Sequence, residues 1–113
     1  MLAVDGYNWG NAKSPGEWSR PAELFDRALT ELRIINHDKP ILIAEVACAE
    51  EGGSKSEWIS EFVAYVDMQT DADGFVWFEH DKETDWRMVS SPASTEAMAA
   101  ALEKRAVTCE VRL

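Results

Sequence analysis

Three times along the chain a short apolar run leads into a polar loop and then into a stretch with helical spacing. The runs are Leu2-Ala3-Val4, Pro40 to Ala44, and Phe75-Val76-Trp77-Phe78. Strands that are apolar throughout need cover on both faces, and when they alternate with helices they belong to parallel sheets. The intervening stretches supply the cover. Leu24, Phe25, Ala28, Leu29, Leu32 and Ile35 make one stripe after Pro21, a residue suited to a first helical turn. Trp58, Ile59, Phe62, Val63 and Val66 make the next, after the capping pattern Ser54-Lys55-Ser56-Glu57. Ala97, Met98, Ala101 and Leu102 make the third, after Ser91-Pro92. The last residues, "AVTCEVRL", alternate apolar and polar, which is a strand period. They either cover an exposed sheet edge or begin a further element. The chain therefore reads as one domain over 1–105 with a strand-like tail over 106–113.

Two architectures suit this pattern, an open doubly wound sheet and a TIM (β/α)8 barrel. The open sheet usually carries a Gly-rich phosphate loop after its first strand, and "DGYNWGNAKSPG" lacks the G-x-G-x-x-G spacing. Each run ends instead in polar and aromatic residues: Asp5, Tyr7 and Trp9, then Glu45, then Trp77, Glu79 and His80. Chemistry gathered at the carboxyl ends of successive strands is the habit of the barrel. With 113 residues and three such units the chain falls short of eight, so the expected fold is part of a barrel. An open part exposes two sheet edges. Self-association, or an N-terminal barrel segment, is expected to cover them.

Acidic residues outnumber basic ones 21 to 11, for a net charge of −10, with no basic cluster, which argues against nucleic acid as a partner. No apolar run is long enough to span a bilayer, and "MLAVDGYNWG" lacks the pattern of a signal peptide. Cys48 and Cys109 form neither a disulfide framework nor a zinc pattern, and His37 and His80 lack ligand spacing. No metal or cofactor is expected.

Glu45 is the residue that most needs explaining, because it ends a run that reads as buried, and an unpaired buried carboxylate is costly. A strand-end ion pair and a carboxylate nucleophile at a site mouth are equally compatible with its position. Retaining glycosidases use two carboxyl groups about 5–5.5 Å apart, one as nucleophile and one as acid/base. Tyr7, at the end of the preceding strand, falls beside Glu45 in a right-handed parallel sheet and can either donate to it or simply pack. Asp5 shares the face of Tyr7 by alternation. Trp77 is either core or a platform for a sugar ring, whereas Trp9, Trp18 and Trp86 lie in loops where core packing explains them less easily. Trp58 falls on a helix stripe and reads as structural. Glu50 and Glu51 read as a solvated loop, and Asp85 and Arg87 as a local ion pair or a rim contact.

"VDGYNWG", "KPILIAEVACAEEGGSKSEWI" and "GFVWFEHDKETDWRMVSSPAS", in this order and spacing, resemble the C-terminal portion of glycoside hydrolase family 26, the retaining β-mannanases and related β-glucan hydrolases. The resemblance covers nearly the whole chain to about Arg105. It implies strands six to eight of a (β/α)8 barrel, a secreted enzyme and a β-linked polysaccharide as partner. It implies Glu45 as nucleophile, Tyr7 as the residue that orients it, and Asp5 and Trp77 as substrate contacts; the loop positions of Trp9 and Trp86 add these two as expected contacts. The family's acid/base glutamate lies on strand four, outside this chain. Glu50, Glu51, Glu79 and Glu83 do not match that position. The expected function is thus the nucleophile side of an endo-β-1,4-mannosidase-like hydrolase. A non-catalytic carbohydrate-binding or interaction module is the alternative.

Overall fold

The computed structural model describes residues 1–104 in full and residues 108–112 as backbone. Each apolar run becomes a strand: β1 (Leu2–Asn8), β2 (Ile41–Cys48) and β3 (Ala72–Phe78). The tail adds β4 (Thr108–Arg112), and all strands lie parallel in one sheet of order β1-β2-β3-β4. Between them run α1 (Pro21–Ile35), α2 (Lys55–Met68) and α3 (Pro92–Glu103). The boundary expected near Arg105 and the side chain of Cys109 fall outside the described residues.

The expected partial (β/α)8 barrel is corrected by this topology. A barrel requires its first and last strands to bond to each other. Here β1 and β4 are separate edges of a linear, open sheet, and among the described residues no barrel forms. The domain is a small open α/β sheet whose tail pairs with β3 from Gly74↔Thr108 to Phe78↔Arg112.

Right-handed crossovers between neighbouring strands put all the helices on one face of the sheet. The α2 stripe packs there: Phe62 meets Phe75 with ring centroids 4.9 Å apart, and Trp58 meets Trp77 at 6.4 Å. Phe25 and Leu29 of α1 complete the core, whereas Ile35 at the end of the stripe is 71% exposed. Local signals start each helix. The Glu23 carboxylate accepts the Arg20 N–H at 3.0 Å, Ser54 Oγ accepts the Glu57 N–H at 3.2 Å, and Ser91 Oγ accepts the Ser94 N–H at 3.2 Å.

The register contains one irregularity of consequence. Val4 pairs with Ile43 and Asp5 with Glu45, so Ala44 has no counterpart on β1. On the other side Ile43 pairs with Phe75 and Val46 with Trp77, so β2 again carries one residue more than its neighbour. An extra residue of this kind shifts the alternation of side chains by one. Ile41 and Ile43 face the helices and are buried. Simple alternation would send Glu45 to the same face. The bulge places Glu45 on the open face with Leu42 and Ala44, and passes the buried position to Val46, which is fully enclosed.

Gly6 marks the tightest contact of β1 with the helices. A Cβ there would lie 2.5 Å from Cε1 of Phe25, whose ring is enclosed in the core and cannot turn aside. Gly6→Ala is therefore expected to destabilise the fold by about 1–3 kcal/mol, read as a lowered denaturant midpoint, with part of the loss recovered in Gly6→Ala/Phe25→Leu. A second expectation concerns the end of α1. Arg33 grips Asp71 with two bonds of 2.7 Å and holds that carboxyl below the usual carboxylate range. Since the folded pKa is the lower one, the contribution is complete above the unfolded value of about 3.9 and is lost as pH falls through the folded value. The pair is partly exposed, at 35% and 26%, so Asp71→Asn should cost only about 0.5–1 kcal/mol at neutral pH. Its acid-unfolding curve should correspondingly be flatter than that of the parent.

Candidate active site

The bulge sets Glu45 on the open face of β2, three residues before the strand ends, opposite Asp5 and next to the strand carrying Tyr7. Tyr7 Oη donates to Glu45 Oε1 at 2.6 Å, a short charge-assisted bond. Burial, followed by this bond and the nearby charge of Glu45, holds the Tyr7 phenol well above its ordinary pKa, so it keeps its proton and remains a donor. The ring is fixed from two sides, edge-on to Phe78 at 5.7 Å and to Trp86 at 5.1 Å.

These groups line an open cleft of about 280 Å³ whose walls are Tyr7, Trp9, Glu45, Phe78, Lys82, Glu83 and Trp86. Of the residues singled out in the sequence, the structure brings together Glu45, Tyr7, Trp9 and Trp86. Trp9 is half-buried, stands edge-on to Trp86 at 4.8 Å, and has the Lys13 ammonium 5.3 Å from its ring centroid. Trp86 is 1% exposed, so it backs the cleft and offers no open ring face. Asp5 is exposed on the same face of the sheet as Tyr7 and contributes to raising its pKa, but it does not line the cleft.

Trp77 is placed elsewhere. It is fully enclosed on the helix face, and its indole N–H donates to the Trp86 carbonyl at 2.9 Å. Phe78, one residue on, holds the open-face position that the sequence reading gave to Trp77. Strand alternation contained this signal, because Phe75 and Trp77 share one face and Val76 and Phe78 the other.

Glu83 and Lys82 enter the site from the loop after β3, where the sequence reading had placed Trp86 as a contact but had given neither of these two a role. The Trp86 indole N–H donates to Glu83 Oε2 at 3.1 Å, and that bond is the main reason the Glu83 carboxyl titrates below its ordinary value. Glu50, expected in a solvated loop, is half-buried and accepts Ser90 Oγ–H at 2.6 Å. Burial pushes its pKa up, but the serine hydroxyls and Lys55 outweigh this and leave it lowered. Asp85 and Arg87 form the local ion pair, with two bonds of 2.7 Å.

Below the cleft, buried Asn8 ties the first loop together. Its Oδ1 accepts the N–H groups of Gly10 at 3.2 Å and Ser19 at 2.8 Å, and its Nδ2 donates to Cys48 Sγ at 3.4 Å. Burial pushes the Cys48 thiol up to about 12, which keeps it protonated and unreactive. Gly10, with φ of 54°, passes so close to the next loop that a Cβ would lie 2.0 Å from the Glu51 carbonyl oxygen. Among the described residues no group of three or more His, Cys, Asp and Glu side chains is arranged to hold a metal ion.

No family model matches the chain. Over 102 residues it is 48% identical to Endoglucanase H of Acetivibrio thermocellus. The match takes in 87% of this chain and 11% of that protein, so the chain spans about a tenth of its relative's length. Neither comparison speaks of family 26 or of a mannanase, and those two assignments rest on the sequence motifs alone.

Proposed function

We propose that the chain carries the nucleophile side of a retaining glycoside hydrolase acting on a β-linked glycan, with Glu45 as nucleophile and Tyr7 as the residue that orients it. The observation that carries this reading is the 2.6 Å bond from Tyr7, whose pKa burial and this bond raise, to Glu45 at the wall of an aromatic cleft. A nucleophile must be an ionised carboxylate aimed at the anomeric carbon. A fixed phenol donor supports both the charge and the aim. Trp9 offers the half-exposed ring against which the C–H face of a sugar can lie. The name of the Acetivibrio relative favours a β-glucan, whereas the resemblance to family 26 favours a β-mannan.

Glu83 does not fit the role of general acid. An acid catalyst works best with a pKa near the working pH, and the indole bond moves Glu83 in the opposite direction. With Glu83 bonded to the Trp86 indole at 3.1 Å as an acceptor in the wall, a second reading has the cleft bind a glycan chain without cleaving it.

An aryl β-glycoside with a very good leaving group separates the two readings, since it needs little help from an acid. Under the first reading a 2-deoxy-2-fluoro glucosyl or mannosyl reagent with such a leaving group adds one sugar to Glu45, detected by mass spectrometry and absent in Glu45→Gln. Tyr7→Phe removes one hydrogen bond to a charged group. It should therefore slow labelling about 10–100-fold. Binding of glucan or mannan oligosaccharides with no labelling at all would leave only the second reading.

A further inference from the structure

We propose that Lys55 and Trp77, neither of which lines the cleft, are positioning residues that hold Trp86, and through it Glu83, in the cleft wall. Lys55 is the first residue of α2 and is 1% exposed. Burying an ammonium at a helix start is costly unless its protons are satisfied. All three are: Nζ donates to the Arg87 carbonyl at 2.7 Å, the Asp85 carbonyl at 3.3 Å and Ser90 Oγ at 2.8 Å. The carbonyl between the first two, that of Trp86, accepts the Trp77 indole N–H at 2.9 Å.

Three successive carbonyls, those of residues 85, 86 and 87, are thus gripped by two side chains rooted in the helix layer and the central sheet. The Trp86 N–H is bonded in turn to the His80 carbonyl at 3.0 Å. With its backbone held at each of these points, residue 86 directs its ring against Tyr7 and Trp9 and its indole N–H at Glu83. A lysine retained only for stability would be replaceable by an apolar chain of the same size. The convergence of Asp85 and Arg87 carbonyls on one ammonium indicates instead that the position of the segment between them is what Lys55 sets. The consequence for ligand binding rests on the sugar-cleft reading above. The positioning itself does not.

The test uses the full chain with ¹⁵N-labelled tryptophan, so that each indole N–H gives its own signal. Trp86→Phe identifies the signal of interest, and Glu83→Gln shows which part of its pH dependence comes from that carboxylate. Lys55→Met removes the ammonium at nearly constant shape. Trp77→Phe removes the indole N–H while keeping an aromatic ring against Trp58, and it keeps the test open should Lys55→Met fail to fold. In a folded variant the Trp86 indole should exchange with solvent about tenfold faster and lose its Glu83-dependent pH shift. If the exchange rate and the pH shift persist in folded Trp77→Phe, and in Lys55→Met where that folds, the proposal is overturned.

Cello- and manno-oligosaccharide titrations are run alongside. If the parent binds, the variants should bind about tenfold more weakly. An unchanged affinity would count against a positioning role for the ligand. If the parent binds neither sugar, the sugar-cleft reading fails, while the indole signal still decides whether Lys55 and Trp77 position the wall.

Discussion

The single extra residue in β2 governs what the rest of the domain can be. The strand must be apolar toward the helices, where Ile41, Ile43 and Val46 are enclosed, yet it must also deliver a carboxylate. A regular strand would drive Glu45 into the layer occupied by Phe62 and Phe75, where desolvation of its charge would cost several kcal/mol. Adding one residue at Ala44 resolves the conflict without breaking the sheet, since pairing resumes at Asp5↔Glu45 and Val46↔Trp77. The bulge separates a face that folds the chain from a face that presents chemistry.

That separation explains why the polar groups on the helix face are so fully satisfied. Asn8, Lys55 and Ser94 are buried there, and no buried side-chain nitrogen or oxygen lacks a partner among the described residues. Each of these groups joins a loop at the carboxyl end of the sheet to something rigid. Asn8 gathers the loop after β1, whereas Lys55, Ser90 and Ser94, with Glu50, tie the β2–α2 loop to the segment after β3. The loops are exposed, but their anchors are not, and this is how short loops can hold Trp9 and Trp86 edge-on at 4.8 Å.

Much of this was legible in the sequence because it depends on local periodicity. The helix stripes, the parallel strands and the neighbouring positions of Tyr7 and Glu45 all follow from spacing and crossover handedness. What was not legible depends on register and closure. No residue in "ILIAEVAC" announces a bulge, since Ala44 is small and apolar whichever face it takes. The barrel was inferred from the chemistry at the strand ends, but a parallel βα series gathers such residues at one end whether or not the sheet closes. Glu50 looked solvated because its partners, Ser90 and Ser94, lie about forty residues away in sequence. The resemblance gave Trp77 a place at the sugar, but strand parity alone sends it to the helix side with Phe75, which is the core alternative its position had left open.

The charges in the cleft narrow the class of ligand that suits it. Among the described residues that line the cleft, Glu45 and Glu83 are joined by the cation Lys82, and Lys13 lies near the Trp9 ring, on a chain of net charge −10. An anionic polymer would meet repulsion at the wall and at long range. A neutral, hydroxyl-rich chain meets neither, because each hydroxyl can donate to a carboxylate and each ring can lie against Trp9. The Trp86 indole bond lowers the pKa of the Glu83 carboxyl, which under the proposed reading suits it to accept hydroxyls rather than to release a proton. The two carboxylates therefore differ in their surroundings for a physical reason. Glu45 is aimed by a phenol that keeps its proton, and Glu83 is fixed by an indole that has no acceptor to offer in return.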